Sequence, residues 1–453
     1  MKTTKKGPNI IWIFGDQHRG QALGIHGDPH VRTPVIDNLA RMGVDFPRAV
    51  SGAPWCCPFR GAMLTSKYPH QNGATRTPGG IGIEQPTLTE PFKQAGYHTA
   101  YIGKWHLGHG HLKDGVVDPA ARGGFDYWQG YENNNNQEHV FVHGSDNETP
   151  VRLEGYETDS LTDIFIRHLE EHTGDDPDYD PFFAVLSVQP PHSPYCPPKK
   201  AAYGFPIHPA KIKLRRNVPG IPWLEEKARQ DIAGYCGMIE NLDWNVGRIL
   251  ETLKKRDIDR DTYVVFFSDH GDMLGSHGQW EKSAPWEESI RIPFIISHAL
   301  GNEMMPTGTC DAVVNHVDIA PTSLGLCGIP VPDWMQGHDY AGNCRFHKQE
   351  EQGREWADGE PESAFLQQIP RKFHPLCPNK AWRGVAMRDG WKYVCTPGSD
   401  WLLYNTKEDE YEIGNFVHNI HFQKERARCW DALKGWLDKT GDDFPLPERD
   451  LPV

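Results

Sequence analysis

Five apolar runs, separated by segments with helical periodicity, constrain the fold of this 453-residue chain more than any other feature. The runs read as strands that are buried on both faces. Apolar strands that alternate with amphipathic helices predict an α/β fold with a doubly wound, mostly parallel sheet. The strands are predicted at 9–16, 99–103, 181–188, 262–272 and 292–297, and the helices at 32–44, 85–97 and 223–255.

The boundaries of the first helix can be predicted from single residues. Thr33 is placed to cap it, Pro34 fits its first turn, and Gly43 ends it.

The pattern changes after about residue 340, where short strands broken by turns replace the long apolar runs. A closing helix is predicted at 424–439. We therefore predict a large α/β domain at 1–340 and a smaller α+β subdomain at 341–453 that carries a short antiparallel sheet. The charged stretch at 350–363 is the predicted solvent-exposed seam.

The net charge of −14 argues against a nucleic-acid partner and against an anionic membrane surface. No apolar run is long enough for a membrane span or a signal-peptide core, so we expect a cytoplasmic protein, or a periplasmic one if a leader has been removed. The ten cysteines include no C-x-x-C pair and are expected to be reduced. No pattern in the sequence sets the oligomeric state.

Polar residues follow four of the predicted strands directly. In an open parallel sheet, ligands bind at the carboxyl ends of the strands. A single aspartate there is more often a turn or cap residue, and a single histidine is more often a surface group. The coincidence of four such strand ends favours a functional site made of Asp16, Gln17, Lys104, His106, His192, Asp269 and His270.

Four of these residues form a candidate metal site. Asp16, Gln17, Asp269 and His270 offer several oxygens and one imidazole. This donor set suits a hard divalent cation such as calcium, magnesium or manganese, and it lacks the thiolates or multiple histidines of structural zinc.

The stretch "PWCCPFRGAMLTSKYP" at 54–69 places two adjacent cysteines ahead of an apolar run. Both cysteines are compatible with small buried side chains, whereas a vicinal disulfide would be strained. The run after them predicts a helix that starts near Cys56, where thiol pKa values fall and anions bind. Arg60, one turn later, is placed to hold an oxyanion with two nitrogens.

These residues carry a resemblance to a known family. "CCPFR" at 56–60 is similar to the C-x-P-x-R signature of the formylglycine-dependent sulfatases, and "GYHTAYIGKWHLG" at 96–108 resembles their second signature. Further blocks, "FFSDHGDMLGSHGQWEK" and 318–337 among them, resemble the family in the same order through nearly the whole chain. The resemblance implies the alkaline-phosphatase-like fold and a sulfuric ester hydrolase.

The resemblance also implies roles for individual residues. A formylglycine-generating enzyme would convert Cys56 to formylglycine, whose hydrate supplies the nucleophile and a further metal ligand. Asp16, Gln17, Asp269 and His270 would bind the cation, most often Ca²⁺, with Mn²⁺ or Mg²⁺ as alternatives. Arg60 would hold the hydrate. The sulfate would be surrounded by Lys104, His106, His192 and Lys282.

Physical reasoning adds proton-transfer roles. Asp269 is placed to take a proton from the hydrate. His192 is the better candidate for protonating the leaving alcohol, and His106 for assisting release of the sulfate. Positive charge from the metal, Lys104, Lys282 and Arg60 would stabilise the transition state.

Two departures from the family pattern leave alternatives open. Gln17 stands where many relatives have aspartate, and Phe59 where serine is common. Phosphonate monoester hydrolases or phosphodiesterases of the same superfamily are therefore an alternative, and an inactive protein that binds sulfated glycans is another. The expected substrate is a sulfated saccharide or a small aryl or alkyl sulfate. Candidate rim residues are Arg19, Trp55, Arg76, His277, Trp280 and the segment 126–145.

Overall fold

The structure, a computed structural model, describes residues 7–113, 115–174, 178–199, 203–204, 206–298, 307–344, 359–369 and 380–448. Its strands are β1 (Asn9–Gly15), β2 (Val44–Asp45), β3 (His98–Lys104), β4 (Leu112–Lys113), β5 (Val116–Val117), β6 (Tyr127–Tyr131), β7 (Phe141–Gly144), β8 (Val151–Arg152), β9 (Phe182–Val188), β10 (Thr262–Ser268), β11 (Phe294–His298), β12 (Gly308–Thr309), β13 (Ser363–Gln368), β14 (Trp382–Met387), β15 (Trp391–Thr396) and β16 (Ser399–Asn405).

The helices of the same residues are α1 (Pro34–Met42), α2 (Cys56–Thr65), α3 (Pro69–Asn72), α4 (Thr89–Gln94), α5 (Glu157–Thr173), α6 (Pro222–Lys255), α7 (Glu287–Ile290), α8 (Ile319–Leu326) and α9 (Gln423–Thr440). The helix predicted at 85–97 is thus shorter than expected. None of the described helices has both the length and the hydropathy needed to cross a membrane.

The described strands include a ten-stranded sheet in the order β12-β2-β11-β10-β1-β9-β3-β6-β7-β8. Its central strands, from β10 to β6, are parallel to one another, as predicted. The parallel ladder brings their carboxyl ends to one edge of the sheet.

One predicted strand runs in the opposite direction from its neighbours. β11, predicted at 292–297, is antiparallel to β10. A parallel return needs a crossover that carries the chain back along the sheet, usually a helix. The connection between β10 and β11 contains only the four-residue α7 and two short turns, so the chain re-enters the sheet from the edge at which it left.

Helices cover both faces of the large sheet, which confirms the doubly wound arrangement. On one face, α1, α5 and α6 pack against β1, with Ile11 and Ile13 completely buried. On the other face, α2, α4 and α8 pack against Trp12 and Phe14 of the same strand. The apolar residues of β1 therefore alternate between two cores.

The ends of α1 differ in one detail from the prediction. Thr33 occupies the N-cap position, but its hydroxyl donates to the Asp37 carboxylate at 2.8 Å rather than capping a backbone N–H. Gly43 follows the helix as expected. It is needed for close packing, because a Cβ there would lie 2.3 Å from the carbonyl oxygen of Ile296.

The C-terminal region forms a separate antiparallel sheet in the order β13-β14-β15-β16, as predicted. α9 packs on it through Cys429, Leu433 and Leu437. Trp382 Nε1 on β14 donates to the carbonyl of Ser283 at 3.0 Å, which ties this sheet to the segment after β10. Most of the seam predicted at 350–363 lies outside the described residues.

Candidate active site

Two adjacent parallel strands deliver the first carboxylates of the site. The register of β1 and β10 pairs Gly15 with Ser268, so Asp16 and Asp269 leave the sheet side by side. Both side chains are completely buried. The backbone N–H of Gln17 donates to Asp269 Oδ1 at 2.9 Å and connects the two strand ends.

Cys56 lies directly beside these carboxylates. It is the first residue of α2, a helix that is buried along its whole length. Its Sγ is 3.5 Å from Asp16 Oδ1 and 3.3 Å from His270 Nε2. One donor atom from each of Asp16, Cys56, Asp269 and His270 lies within 4.8 Å of the others. We call these four residues the cation cluster.

The orientation of His270 suits metal binding. Its Nδ1 lies 3.0 Å from the carbonyl oxygen of Gly271, and a carbonyl oxygen only accepts hydrogen bonds. Nδ1 therefore carries the proton, and Nε2 presents its lone pair to the cluster. A backbone carbonyl that fixes the tautomer in this way is common for ligating histidines.

The electrostatics of the cation cluster also fit a divalent ion. Burial raises the pKa of Asp16, but the neighbouring charges, Lys104 first, outweigh it and hold that pKa well below its ordinary value. Burial and the charge of Asp16 raise the pKa of Asp269 to about 7. Oxygen ligands bind Ca²⁺ at about 2.3–2.6 Å. Donor atoms that lie within 4.8 Å of one another could therefore reach one ion. A bound cation would remove the repulsion between the two acids.

The predicted fall in the pKa of the Cys56 thiol is wrong. The helix N-terminus is present, but burial raises this pKa, and the carboxylate of Asp16 raises it further. The favourable interaction with a helix N-terminus is small compared with complete burial beside a carboxylate. The thiol itself is therefore a poor nucleophile in this position.

Lys104 and Arg60 both hold Asp16. Lys104 Nζ donates to Asp16 Oδ2 at 2.6 Å, and Arg60 Nη2 donates to the same oxygen at 3.2 Å. Arg60 Nη1 donates to the Lys104 carbonyl and to Ser187 Oγ at 2.7 and 2.8 Å. Nη2 makes one hydrogen bond, and Nε makes none within the described residues and lies 3.5 Å from Asp269 Oδ2. The bidentate contact of Arg60 with an oxyanion stays a prediction.

A second group of side chains surrounds Lys282. Its Nζ donates to Gln17 Oε1 at 2.5 Å, to His192 Nε2 at 2.6 Å and to Glu281 Oε2 at 3.1 Å. The Gln17 oxygen, a predicted metal ligand, is thus shared with a lysine. We call Gln17, His192, Glu281 and Lys282 the lysine cluster.

His192 is held in one protonation state by this arrangement. Its Nδ1 is 2.7 Å from the carbonyl oxygen of Ser193, so Nδ1 donates, and Nε2 accepts from Lys282. Burial and the charge of Lys282 lower the pKa of His192 to about 4. The predicted role as a proton donor at Nε2 would require this contact to change when substrate binds.

His106 lies on the connection that follows β3. Its side chain is 5 % exposed and its backbone has a φ of 60°. Burial, and then the charge of Lys104, holds the pKa of His106 well below its ordinary value. Within the described residues its Nδ1 has no hydrogen-bond partner, so a neutral imidazole with one unused nitrogen faces the site.

Sequence reasoning missed two acids that organise the lysine cluster. Asp272 Oδ2 accepts from Gln17 Nε2 at 2.5 Å and from the Tyr195 hydroxyl at 2.6 Å. Glu281 accepts from both Lys282 and Ser193 Oγ. A buried lysine needs a carboxylate partner. This requirement could have pointed to Glu281, which precedes Lys282 in the sequence, but not to Asp272, which contacts Gln17 and Tyr195.

The candidate rim residues occupy different environments. Trp280 is buried, with its Nε1 bonded to Asp231, and Arg19 is buried as well. Trp55 and His277 are partly exposed, and Arg76 is exposed. The segment 126–145 reaches the His192 strand end, because Gln137 Nε2 donates to the His192 carbonyl at 3.4 Å.

Comparisons with known proteins agree with this geometry. A family model described as sulfatase matches residues 8–329. An ulvan-active sulfatase from Formosa agariphila is 32% identical over 440 residues, which cover 96% of this chain and 82% of that protein. An N-acetylglucosamine-6-O-sulfatase from Bacteroides thetaiotaomicron is 24% identical and covers 98% of this chain and 88% of that protein.

Solved structures share the fold. A protein in complex with its substrate D-glucosamine-2-N,6-O-disulfate superposes with a TM-score of 0.80 at 24% identity, over 97% of this chain and 99% of that one. A phosphonate monoester hydrolase from Agrobacterium radiobacter gives a TM-score of 0.75 at 23% identity, over 96% of each chain.

Proposed function

The chain belongs to the sulfatase family, and on that basis we propose that it cleaves sulfate monoesters with a nucleophile derived from Cys56, next to a bound divalent cation. It is a sulfuric ester hydrolase. The observation that carries the proposal is the convergence of Asp16, Cys56, Asp269 and His270 within 4.8 Å.

The nucleophile follows from the environment of Cys56. The thiol is buried and its pKa is raised, so it does not serve as a thiolate. Oxidation of Cys56 to formylglycine by a maturation enzyme would place the oxygens of an aldehyde hydrate where Sγ now lies. Cys57, the adjacent residue, is buried in the apolar core and is the internal control for this modification.

The cation would be held by Asp16, Asp269, His270 and Gln17. When bound, it would supply positive charge to the nucleophile and to a sulfate oxygen. The hard oxygen donors favour Ca²⁺, with Mn²⁺ and Mg²⁺ as alternatives.

The protein supplies the rest of the positive charge. Lys104 contacts Asp16, Lys282 contacts Gln17, and both lysine side chains are buried. Preorganised donors of this kind stabilise the charge that develops on a transferring group.

Proton transfer is assigned to groups at the same edge of the sheet. Asp269 Oδ2 accepts no hydrogen bond in the described part of the chain and forms an ion pair with Arg60 Nε at 3.5 Å; it is the candidate for accepting a proton from the nucleophile. Lys282 and His192 are adjacent and are the candidates for protonating the leaving alcohol. His106 is the remaining candidate for assisting release of sulfate.

The substrate is proposed to be a sulfated saccharide. This rests on the printed activities of the two curated relatives, one of which acts on a sulfated amino sugar. The phosphonate monoester hydrolase shares the fold, but nothing in its 23% identity favours phosphonate chemistry here. An inactive glycan-binding protein would have no need for the complete cation cluster.

The proposal is tested by an activity panel. Protein co-expressed with a formylglycine-generating enzyme is assayed with nitrophenyl sulfate, sulfated N-acetylglucosamine and a phenyl phosphonate monoester, in the presence of Ca²⁺. The expected result is hydrolysis of sulfate esters at a kcat/KM well above that for the phosphonate. A preference for the phosphonate, or activity that survives Cys56→Ala, would contradict it. Cys57→Ala is the matched control and is expected to remain active.

A further inference from the structure

The polar segment Asn133–Gln137 has no assigned role, although it lies beside the candidate active site. It follows β6, which is parallel to β3 with Tyr131 in register with Lys104. The Trp105 N–H donates to the Tyr131 carbonyl at 2.8 Å. The segment therefore leaves the sheet at the same edge as Lys104 and its neighbour His106.

Two buried glutamines fix this segment to the other side of the site. Gln189 follows β9 directly and is completely buried, and its Nε2 donates to Asn135 Oδ1 at 3.1 Å. Gln137 is 3 % exposed, and its Nε2 donates to the carbonyls of His192 and Pro194 at 3.4 and 3.5 Å. The segment thus spans the strand ends of β6 and β9.

The asparagines of the segment divide into two kinds. Asn134 and Asn136 hold the turn together, because their side-chain oxygens accept from the backbone N–H groups of Asn136 and Glu138 at 3.0 and 3.1 Å. Asn133, Asn135 and Asn136 are exposed, and the oxygen of Asn136 is already used within the turn. The amides of Asn133 and Asn135 are therefore presented by a turn whose backbone is held by side-chain hydrogen bonds.

We propose that Asn133 and Asn135 bind hydroxyl groups of the sugar that carries or adjoins the sulfate ester, and that Gln189 positions Asn135 for this contact. The inference rests on the proposed function and deepens it. It assigns the substrate to sulfated saccharides rather than small aryl sulfates.

The chemistry of the amides supports this assignment. An amide offers two N–H donors and an acceptor oxygen, which complement the donor and acceptor character of a hydroxyl group. The oxygen of Asn135 already accepts from Gln189, so its amide nitrogen is the group that is left to donate to a hydroxyl. Neutral amides do not compete with Lys104 and Lys282 for the sulfate, so they discriminate the sugar rather than the charged group. An aryl ring offers these amides no hydroxyl, and a site built for hydroxyl groups discriminates against ligands that lack them.

The test compares two substrate classes in the same variants. The kcat/KM of Asn135→Ala and Asn133→Ala is measured with sulfated N-acetylglucosamine, a sulfated oligosaccharide and nitrophenyl sulfate. We expect each variant to lose about tenfold with the saccharides, the value of one hydrogen bond, and about twofold or less with nitrophenyl sulfate. Gln189→Ala is expected to behave like Asn135→Ala, with the loss in KM rather than in kcat. Asn38→Ala, an exposed asparagine on α1, is the matched control.

Each outcome decides the proposal. Equal losses on both substrate classes, or no loss on either, would overturn it. So would a wild-type enzyme that cleaves nitrophenyl sulfate and none of the saccharides. In those cases the activity on nitrophenyl sulfate still supports the proposed function, whereas a protein with no activity on any sulfate ester removes both.

Discussion

The cation cluster and the lysine cluster lie at the same edge of the large sheet, but the chain builds them in different ways. Asp16, Asp269 and His270 follow two strands that are paired along seven residues, so the ladder itself fixes their positions. Lys282 lies on an irregular connection, and its ammonium group is positioned by contacts with Gln17, His192 and Glu281.

The connection that carries Lys282 stores backbone strain. Leu274, Glu281 and Ser283 have φ values of 43°, 63° and 70°, in the left-handed region that non-glycine residues seldom adopt. Asp272 Oδ1 accepts from the backbone N–H groups of Leu274 and Glu281 at 3.1 and 3.0 Å. A single buried carboxylate thus holds the connection in shape. We therefore expect the cation cluster to tolerate substitutions around it better than the lysine cluster does.

The largest effect is expected at Cys56, the precursor of the proposed nucleophile. Cys56→Ser, in a host whose maturation enzyme accepts only cysteine, should lower kcat by about 10⁴-fold, because the nucleophile is lost. The thermal unfolding midpoint should stay close to that of wild type, because the side chains have nearly the same size. Activity in this variant at the wild-type level would break the assignment of Cys56.

The second-largest effect is expected at Asp269, in the cation cluster. Asp269→Asn should abolish Ca²⁺-dependent activity and also the rise in unfolding midpoint that Ca²⁺ gives the wild-type protein, since a ligand that binds only the folded state stabilises it. Differential scanning fluorimetry with and without EDTA measures the second effect independently of activity. Asp163→Asn, an exposed acid on α5, is the control. An undiminished Ca²⁺ response in Asp269→Asn would place the ion elsewhere.

Residues that are placed by paired strands could be predicted from the sequence, whereas most of those placed by contacts on the irregular connection could not. Parallel strands bring their carboxyl ends together. The sequence therefore predicts that one site contains Asp16, Lys104, Asp269 and His270. Asp272 could not be predicted, because its role follows from a tertiary contact with Gln17, whereas Glu281 precedes Lys282 in the sequence and could have been expected as its partner.

Two other predictions failed for identifiable physical reasons. The expected fall in the pKa of Cys56 considered the helix N-terminus but not burial beside Asp16. The expected cap of α1 by Thr33 considered the residue type but not the Gly24 backbone N–H, from which the Thr33 hydroxyl oxygen accepts at 2.9 Å. Pattern and periodicity predict which elements form, whereas burial and tertiary contacts decide how their side chains behave.

A smaller effect is expected at Lys282. Lys282→Ala removes one preorganised positive charge and should lower kcat/KM for sulfate esters by about 10²-fold to 10³-fold. Ca²⁺ should still raise the unfolding midpoint of this variant, because the cation cluster remains complete. If Lys282→Ala loses both its activity and its Ca²⁺ response, the two clusters do not act independently.

The smallest effect is expected at Glu281, which contacts Lys282 but lies outside the cation cluster. Glu281→Gln keeps an acceptor for Ser193 and removes the charge that faces Lys282 Nζ at 3.1 Å. We expect a loss in kcat/KM of about tenfold, the value of a charge-assisted hydrogen bond. Glu171→Gln, an exposed acid on α5, is the matched control. A loss as large as that of Lys282→Ala would mean that Glu281 itself takes part in the chemistry.

The central claim is that the side chain derived from Cys56 is the nucleophile beside the cation. The most direct measurement is the specific activity of a series of preparations that differ in the extent of Cys56 conversion, with the conversion quantified by mass spectrometry of the tryptic peptide 49–60. We expect activity to rise in proportion to the aldehyde content at position 56 and to extrapolate to zero when no Cys56 is converted. Full activity in a preparation that contains only the unconverted thiol would contradict it.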